Sequence, residues 1–140
     1  MRLDVYFFAF LIGLAGCASP VRLPENMKLI EDSEEVRRQL FQEAKRQLEI
    51  QPKWEISRSN GIQRKEMQER RRFFEQLDSK PSFELSRTTD AKIVKESRCR
   101  CLLNISYTSS FVKVRLKSGP LANREGWVCS EKVRRLWIWP

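Results

Sequence analysis

The sequence predicts an α+β chain, a helical hairpin or spacer followed by a small five-stranded β-barrel. Three observations carry that expectation. Apolar residues recur at three- and four-residue steps from Val36 to Leu77. The period then drops to two: Val112, Val114 and Leu116 alternate with Lys113, Arg115 and Lys117. Finally, 140 residues allow one small domain with appendages and no second large one.

Residues 5–16, VYFFAFLIGLAG, are an uncharged run ending at Cys17. A helix of that length rises about 18 Å, short of the roughly 30 Å hydrocarbon core of a bilayer. The run has no polar face, so it does not read as an amphipathic core helix. It fits the apolar region of a signal peptide over residues 1–16. Leu14-Ala15-Gly16-Cys17 resembles the lipobox of bacterial lipoproteins: an aliphatic residue, two small residues, then Cys. The resemblance implies cleavage before Cys17 and acylation of its thiol. The mature chain would then be held to a lipid membrane by acyl groups that each contribute about 0.8 kcal/mol per buried CH₂. Ala18 stands where an Asp would imply retention in the inner membrane. By the same resemblance this implies the outer membrane, with the protein on its periplasmic face.

Residues 17–30 carry Pro20 and Pro24 and no helical period, and read as a lipidated tether of roughly 20 Å r.m.s. span. Residues 31–80 read as a helical spacer. Asp32 and Ser33 are candidate N-caps, Asp32 with Glu35 making a D-x-x-E box. Val36, Leu40, Phe41, Ala44 and Leu48 form one apolar stripe, and Pro52 ends the helix. The SRSNG run at 57–61 marks a turn. A second helix, from about Ile62 to Leu77, has Met67, Phe73, Phe74 and Leu77 on one side. Arg70-Arg71-Arg72 reads first as a solvated helix face and second as a patch for phosphate or anionic lipid. Twelve basic against 11 acidic residues in 31–80 suit a solvated hairpin.

Residues 78–90, containing Pro81, read as linker-like, and the barrel is expected over residues 81–140. Strands are then expected at Lys92–Lys95, Arg100–Tyr107, Phe111–Lys117, Glu125–Cys129 and Arg134–Trp137, with a short turn over Ser130–Val133. Such short strands suit a small five-stranded barrel, whose closure covers its edges. VKVRL, the Gly119-Pro120 loop, EGWV, the SEKV turn and RRL resemble the second half of bacterial Src-homology-3-type (SH3-like) domains. The likeness spans roughly Lys92–Leu136 and implies a binding module.

Beyond Cys17 the cysteines are Cys99, Cys101 and Cys129. In an oxidising compartment Cys129 can pair with Cys101 or Cys99, leaving one thiol over; otherwise all three are free, buried thiols. Without His, three Cys make a poor metal site, and none is expected.

The absence of His also removes the commonest general base. There is no glycine-rich phosphate loop and no paired catalytic carboxylates, so no enzyme and no cofactor are expected. Residues 81–140 hold 12 basic and 5 acidic residues. In a cytoplasmic protein that would suggest nucleic acid. Behind a signal peptide the available polyanions are cell-wall carboxylates, lipid phosphates and acidic protein surfaces, and the resemblance to SH3-like domains implies peptidoglycan or an envelope protein partner.

The candidate ligand-binding residues are Tyr107, Phe111 and Trp127 with Lys113, Arg115 and Lys117. Trp127 also reads as core or rim. The apolar Trp137-Ile138-Trp139-Pro140 end reads as folding back on the barrel. A second expectation is a structural subunit of an envelope complex, acting through its helices and Trp-rich end.

Overall fold

The computed structural model describes residues 20–56, 60–103 and 109–135, and for 51–56, 60–63 and 134–135 the backbone only. The signal-like run, Cys17, Tyr107 and the Trp137–Pro140 end lie outside the described residues.

The element order is β1 (Pro20–Leu23), β2 (Lys28–Glu31), α1 (Glu34–Ile56), α2 (Asn60–Asp78), β3 (Ser82–Glu84), β4 (Thr89–Arg100), β5 (Ser110–Leu116), β6 (Glu125–Cys129), a 3₁₀ turn (Ser130–Lys132) and β7 (Arg134–Arg135). Six strands and the two-residue β7 form one antiparallel sheet in the order β3-β2-β6-β5-β4-β1-β7. Among the described residues its two ends, β3 and β7, do not pair, so the sheet is open. This corrects the expected five-stranded SH3-like barrel: the class is α+β, but the sheet has more strands and does not close.

The expected domain order is corrected with it. Within residues 17–30, expected as tether, lie β1 and all but the last residue of β2. β1 lies between β4 and β7, with Val21 opposite Ala91 and Arg135, and Leu23 opposite Thr89. The helices are therefore an insertion between strands of one sheet, not a spacer ahead of it. PVRL was hard to read as a strand because it is only four residues long and is flanked by prolines. Pro20 is tolerated at the strand's first residue, while Val21 and Leu23 point inward and Arg22 outward.

The two faces of the sheet carry separate cores. One packs Val21, Leu23, Leu29, Ala91, Ile93, Val112, Val114, Leu116 and Val128. Burying each Val or Leu contributes about 1.5–3 kcal/mol. The other receives the helices: Val36 and Leu40 of α1, with Phe73 and Leu77 of α2, cover Ile30, Cys99, Phe111 and Trp127. Gly126 allows β6 to lie close to β2, since a Cβ there would sit 2.9 Å from the Leu29 Cβ and 3.1 Å from the Phe83 ring.

Ser33 is the N-cap of α1; its Oγ accepts from the Val36 N–H at 3.2 Å. The expected Asp32–Glu35 box does not form, because both acids have other partners. Asp32 accepts from the Trp127 indole and Glu35 from Lys80. Helix α1 also runs through Pro52 to Ile56. The proline leaves the Leu48 carbonyl without its helical donor, and Leu48 is exposed, where water can serve instead.

Candidate functional site

The buried face of α1 is Val36, Leu40, Glu43 and Gln47, at steps of four, three and four. It is not the expected stripe. Phe41 and Leu48, its two largest remaining members, are each 70 % exposed. Polar side chains are thus buried while large apolar ones face outward, the reverse of ordinary amphipathic packing.

The Glu43 and Gln47 side chains are both paired, whereas the Gln39 Oε1 on the same helix is buried without a partner among the described residues. The Gln47 side-chain amide accepts from the Arg100 N–H at 2.8 Å and donates to the Arg100 carbonyl at 3.4 Å. Arg46 donates to Glu43 of its own helix, and to Glu66 at 2.6 Å and Glu69 at 2.8 Å across the hairpin. Arg70, expected on a solvated face, is 3 % exposed; it donates to Glu66 at 3.0 Å and to the Leu102 carbonyl at 3.3 Å. Burial disfavours the Arg46 charge, but the bonds and charges of Glu43 and Glu66 outweigh it and hold the guanidinium above its usual pKa. This cluster ties α1 to α2 and both to the end of β4.

β4 bends where it meets α1. Its pairing with β5 is irregular between Ile93 and Lys95 and again between Glu96 and Arg100. Arg98 adopts a left-handed φ of 61°, which costs a residue with a Cβ about 1–2 kcal/mol. The bulge is stitched by Ser97, whose Oγ donates to the Phe111 carbonyl at 2.7 Å and accepts from the Cys99 N–H at 3.1 Å. Gln47 then supplies the partner that Arg100 would otherwise lack.

Between α1 and this bend lies a groove of about 550 Å³. Leu40, Phe41, Ala44, Leu48 and Trp127 make it apolar. Arg37 and Lys45 stand on the helix wall, Lys95 and Arg98 on the strand wall, and Glu96 is the one acid among its lining residues. Trp127 is fixed there: its indole donates to Asp32 at 2.9 Å, and the Lys113 ammonium lies 5.8 Å from its ring centre.

Of the ligand-binding residues expected from sequence, Tyr107 lies outside the described residues, and among the described ones Trp127 alone lines this groove. Phe111 is buried against Phe74, their rings 6.1 Å apart at 72°. Lys113 pairs with Asp32 at 3.6 Å and Arg115 with Glu125 at 3.4 Å, so both serve the fold. Lys117 is exposed and away from the groove. Cys101 and Cys129 form a disulfide with Cα atoms 5.6 Å apart, joining the residue after β4 to the end of β6. Cys99 is the free thiol among the described residues, buried, its pKa pushed up to about 12 by desolvation and then by the Glu43 charge. Among the described residues no three His, Cys, Asp or Glu side chains are grouped to hold a metal, and no helix is long and apolar enough to cross a membrane.

No protein-family model, curated protein or solved structure matches this chain. The groove is therefore read on its own chemistry. It offers an apolar floor and four cations, and no nucleophile–base pair stands among the described lining residues.

Proposed function

We propose that this chain is a membrane-anchored lipoprotein of the bacterial envelope whose folded domain is a non-enzymatic binding module for an envelope protein. The exposure of Phe41 and Leu48 beside buried, fully paired Glu43 and Gln47 carries the binding half of the reading. An exposed apolar patch rimmed by charge is the usual mark of a docking surface. Its apolar floor suits a protein side-chain cluster better than a glycan strand.

The Leu14–Cys17 segment supports the anchoring half. The Cys101–Cys129 bond supports it too, since structural disulfides persist in oxidising compartments. If Cys17 is acylated, the link from it to Pro20 is three residues, at most about 11 Å. The sheet would then stand directly on the bilayer surface.

The test is in-cell photo-crosslinking with benzoylphenylalanine at position 41 and, as control, at position 71 on α2. The expected result is a protein adduct from position 41 in the membrane fraction, absent from position 71. No adduct from position 41, together with pelleting on isolated cell-wall sacculi that a Phe41→Asp change leaves intact, would contradict the reading.

A further inference from the structure

Resting on the binding-module reading above, we infer that the groove between α1 and β4 receives an acidic amphipathic helix of the partner protein.

Four of its lining residues are cationic and one is acidic. Lys45, Lys95 and Arg98 make no ion pair among the described residues, while Arg37 has a long one to Asp32 at 3.6 Å. Arg46, Arg70, Lys80 and Arg124 elsewhere are in close ion pairs, while Arg71, Arg72, Lys92 and Lys117 have none among the described residues; what marks the groove is that its cations line an apolar trough. The cations here belong to two walls: Arg37 and Lys45 on the helix, Lys95 and Arg98 on the strand. A lipid headgroup would call for cations gathered at one mouth. Cations along both walls of an apolar trough match a ligand with an apolar ridge and acids on both flanks, which is the cross-section of an amphipathic helix.

Dimensions agree. Phe41 and Leu48 are seven residues apart, about 10 Å along α1. A partner helix lying beside α1 presents apolar residues at the same two-turn interval. The left-handed Arg98 adds an independent sign. Backbone strain persists only where surrounding bonds enforce it, and it concentrates at functional positions. Here Ser97 and Gln47 enforce it, and the outcome is a cation on the strand wall.

The experiment uses the full chain in phosphatidylcholine nanodiscs, which hold it whether the amino end is acylated or keeps its apolar run. Two labelled helical peptides of about 18 residues share one Leu/Phe ridge; one carries Glu on both flanks and the other Lys. Fluorescence anisotropy, with empty nanodiscs subtracted, should show the Glu peptide binding about tenfold more tightly at low salt, the preference shrinking as salt rises. The Lys95→Glu/Arg98→Glu protein should reverse the preference while keeping its unfolding midpoint.

Binding of neither peptide, or equal binding of both, overturns the inference. So does recruitment of phosphatidylglycerol vesicles that the double variant abolishes, which would make the groove a membrane face. A dimer in sedimentation that Phe41→Asp dissolves would make it a self-interface and overturns it equally. The peptides are tested whatever the state of Cys17, so their failure leaves anchoring untouched, and an unmodified Cys17 leaves the peptide result standing.

Discussion

Gln47 and Arg100 exchange two hydrogen bonds across 53 residues of chain, the side-chain amide of a helix standing in for the neighbouring strand that the end of β4 lacks. The carbonyl and N–H of Arg100 are both satisfied by one residue, in a polar pocket shared with Cys99 and Glu43. The helical insertion is thereby latched to the sheet at a point where packing alone would leave backbone groups unpaired.

Gln47→Ala removes both bonds and leaves the Arg100 backbone buried without them. It should destabilise the domain by about 1–3 kcal/mol in urea unfolding and raise the exchange rate of the Arg100 amide. Gln42→Ala, on the exposed face of the same helix, should stay within about 0.5 kcal/mol.

Arg46 holds three carboxylates, of which Glu66 is 2 % and Glu43 8 % exposed. Arg46→Met leaves Glu43 without its cation and Glu66 with Arg70 alone, and should cost about 3–5 kcal/mol, whereas Arg46→Met with Glu43→Leu, which keeps the Glu66–Arg70 pair, should recover part of the loss. A double-mutant cycle on Arg46 and Glu66 measures the coupling.

The Cys99 thiol is buried with its pKa raised to about 12. It should resist alkylation in the native protein at pH 8 and react on unfolding. The unfolded thiol titrates lower, near 9, so the stability that the neutral thiol contributes is complete below about pH 9 and is lost as pH rises toward 12. Cys99→Ala should flatten that alkaline decline. Removing the disulfide, by Cys101→Ala with Cys129→Ala, should lower stability by about 2–4 kcal/mol at all pH values.

Arg98 keeps a left-handed backbone at a groove wall. Arg98→Gly removes the Cβ clash and should leave the domain as stable or up to about 1 kcal/mol more so. It also removes a groove cation, so binding of the Glu-flanked peptide should weaken. A residue that served the fold alone would not separate these two readouts.

Much of the local structure was legible from sequence, and the long-range structure was not. The alternation of Val112, Val114 and Leu116 marks β5, and the strand expected at Glu125–Cys129 is β6. Both helices stand near their expected positions, because periodicity reports an element's own faces. What periodicity does not report is the partner. PVRL became a strand only through β4 and β7, more than sixty residues away. The groove was hidden for a related reason. The stripe through Phe41 and Leu48 and the rival set Val36, Leu40, Glu43, Gln47 are rotated by about a third of a turn. Hydrophobicity favours the first, and the second wins because Arg46 pairs with Glu43 and the Arg100 backbone pairs with Gln47, the latter a partner that cannot be located from α1 alone. Arg70 shows the same blindness: three consecutive arginines read as one patch, yet the first is buried in an ion pair.

Intact mass spectrometry of the protein extracted from membranes reads the state of the amino end directly. The expected species begins at an acylated Cys17. After thiol labelling in denaturant it carries one label without reductant and three with it, at Cys99 alone and then at Cys99, Cys101 and Cys129. A full-length chain that starts at Met1, with Cys17 unmodified and every cysteine free before reduction, would contradict the lipoprotein reading.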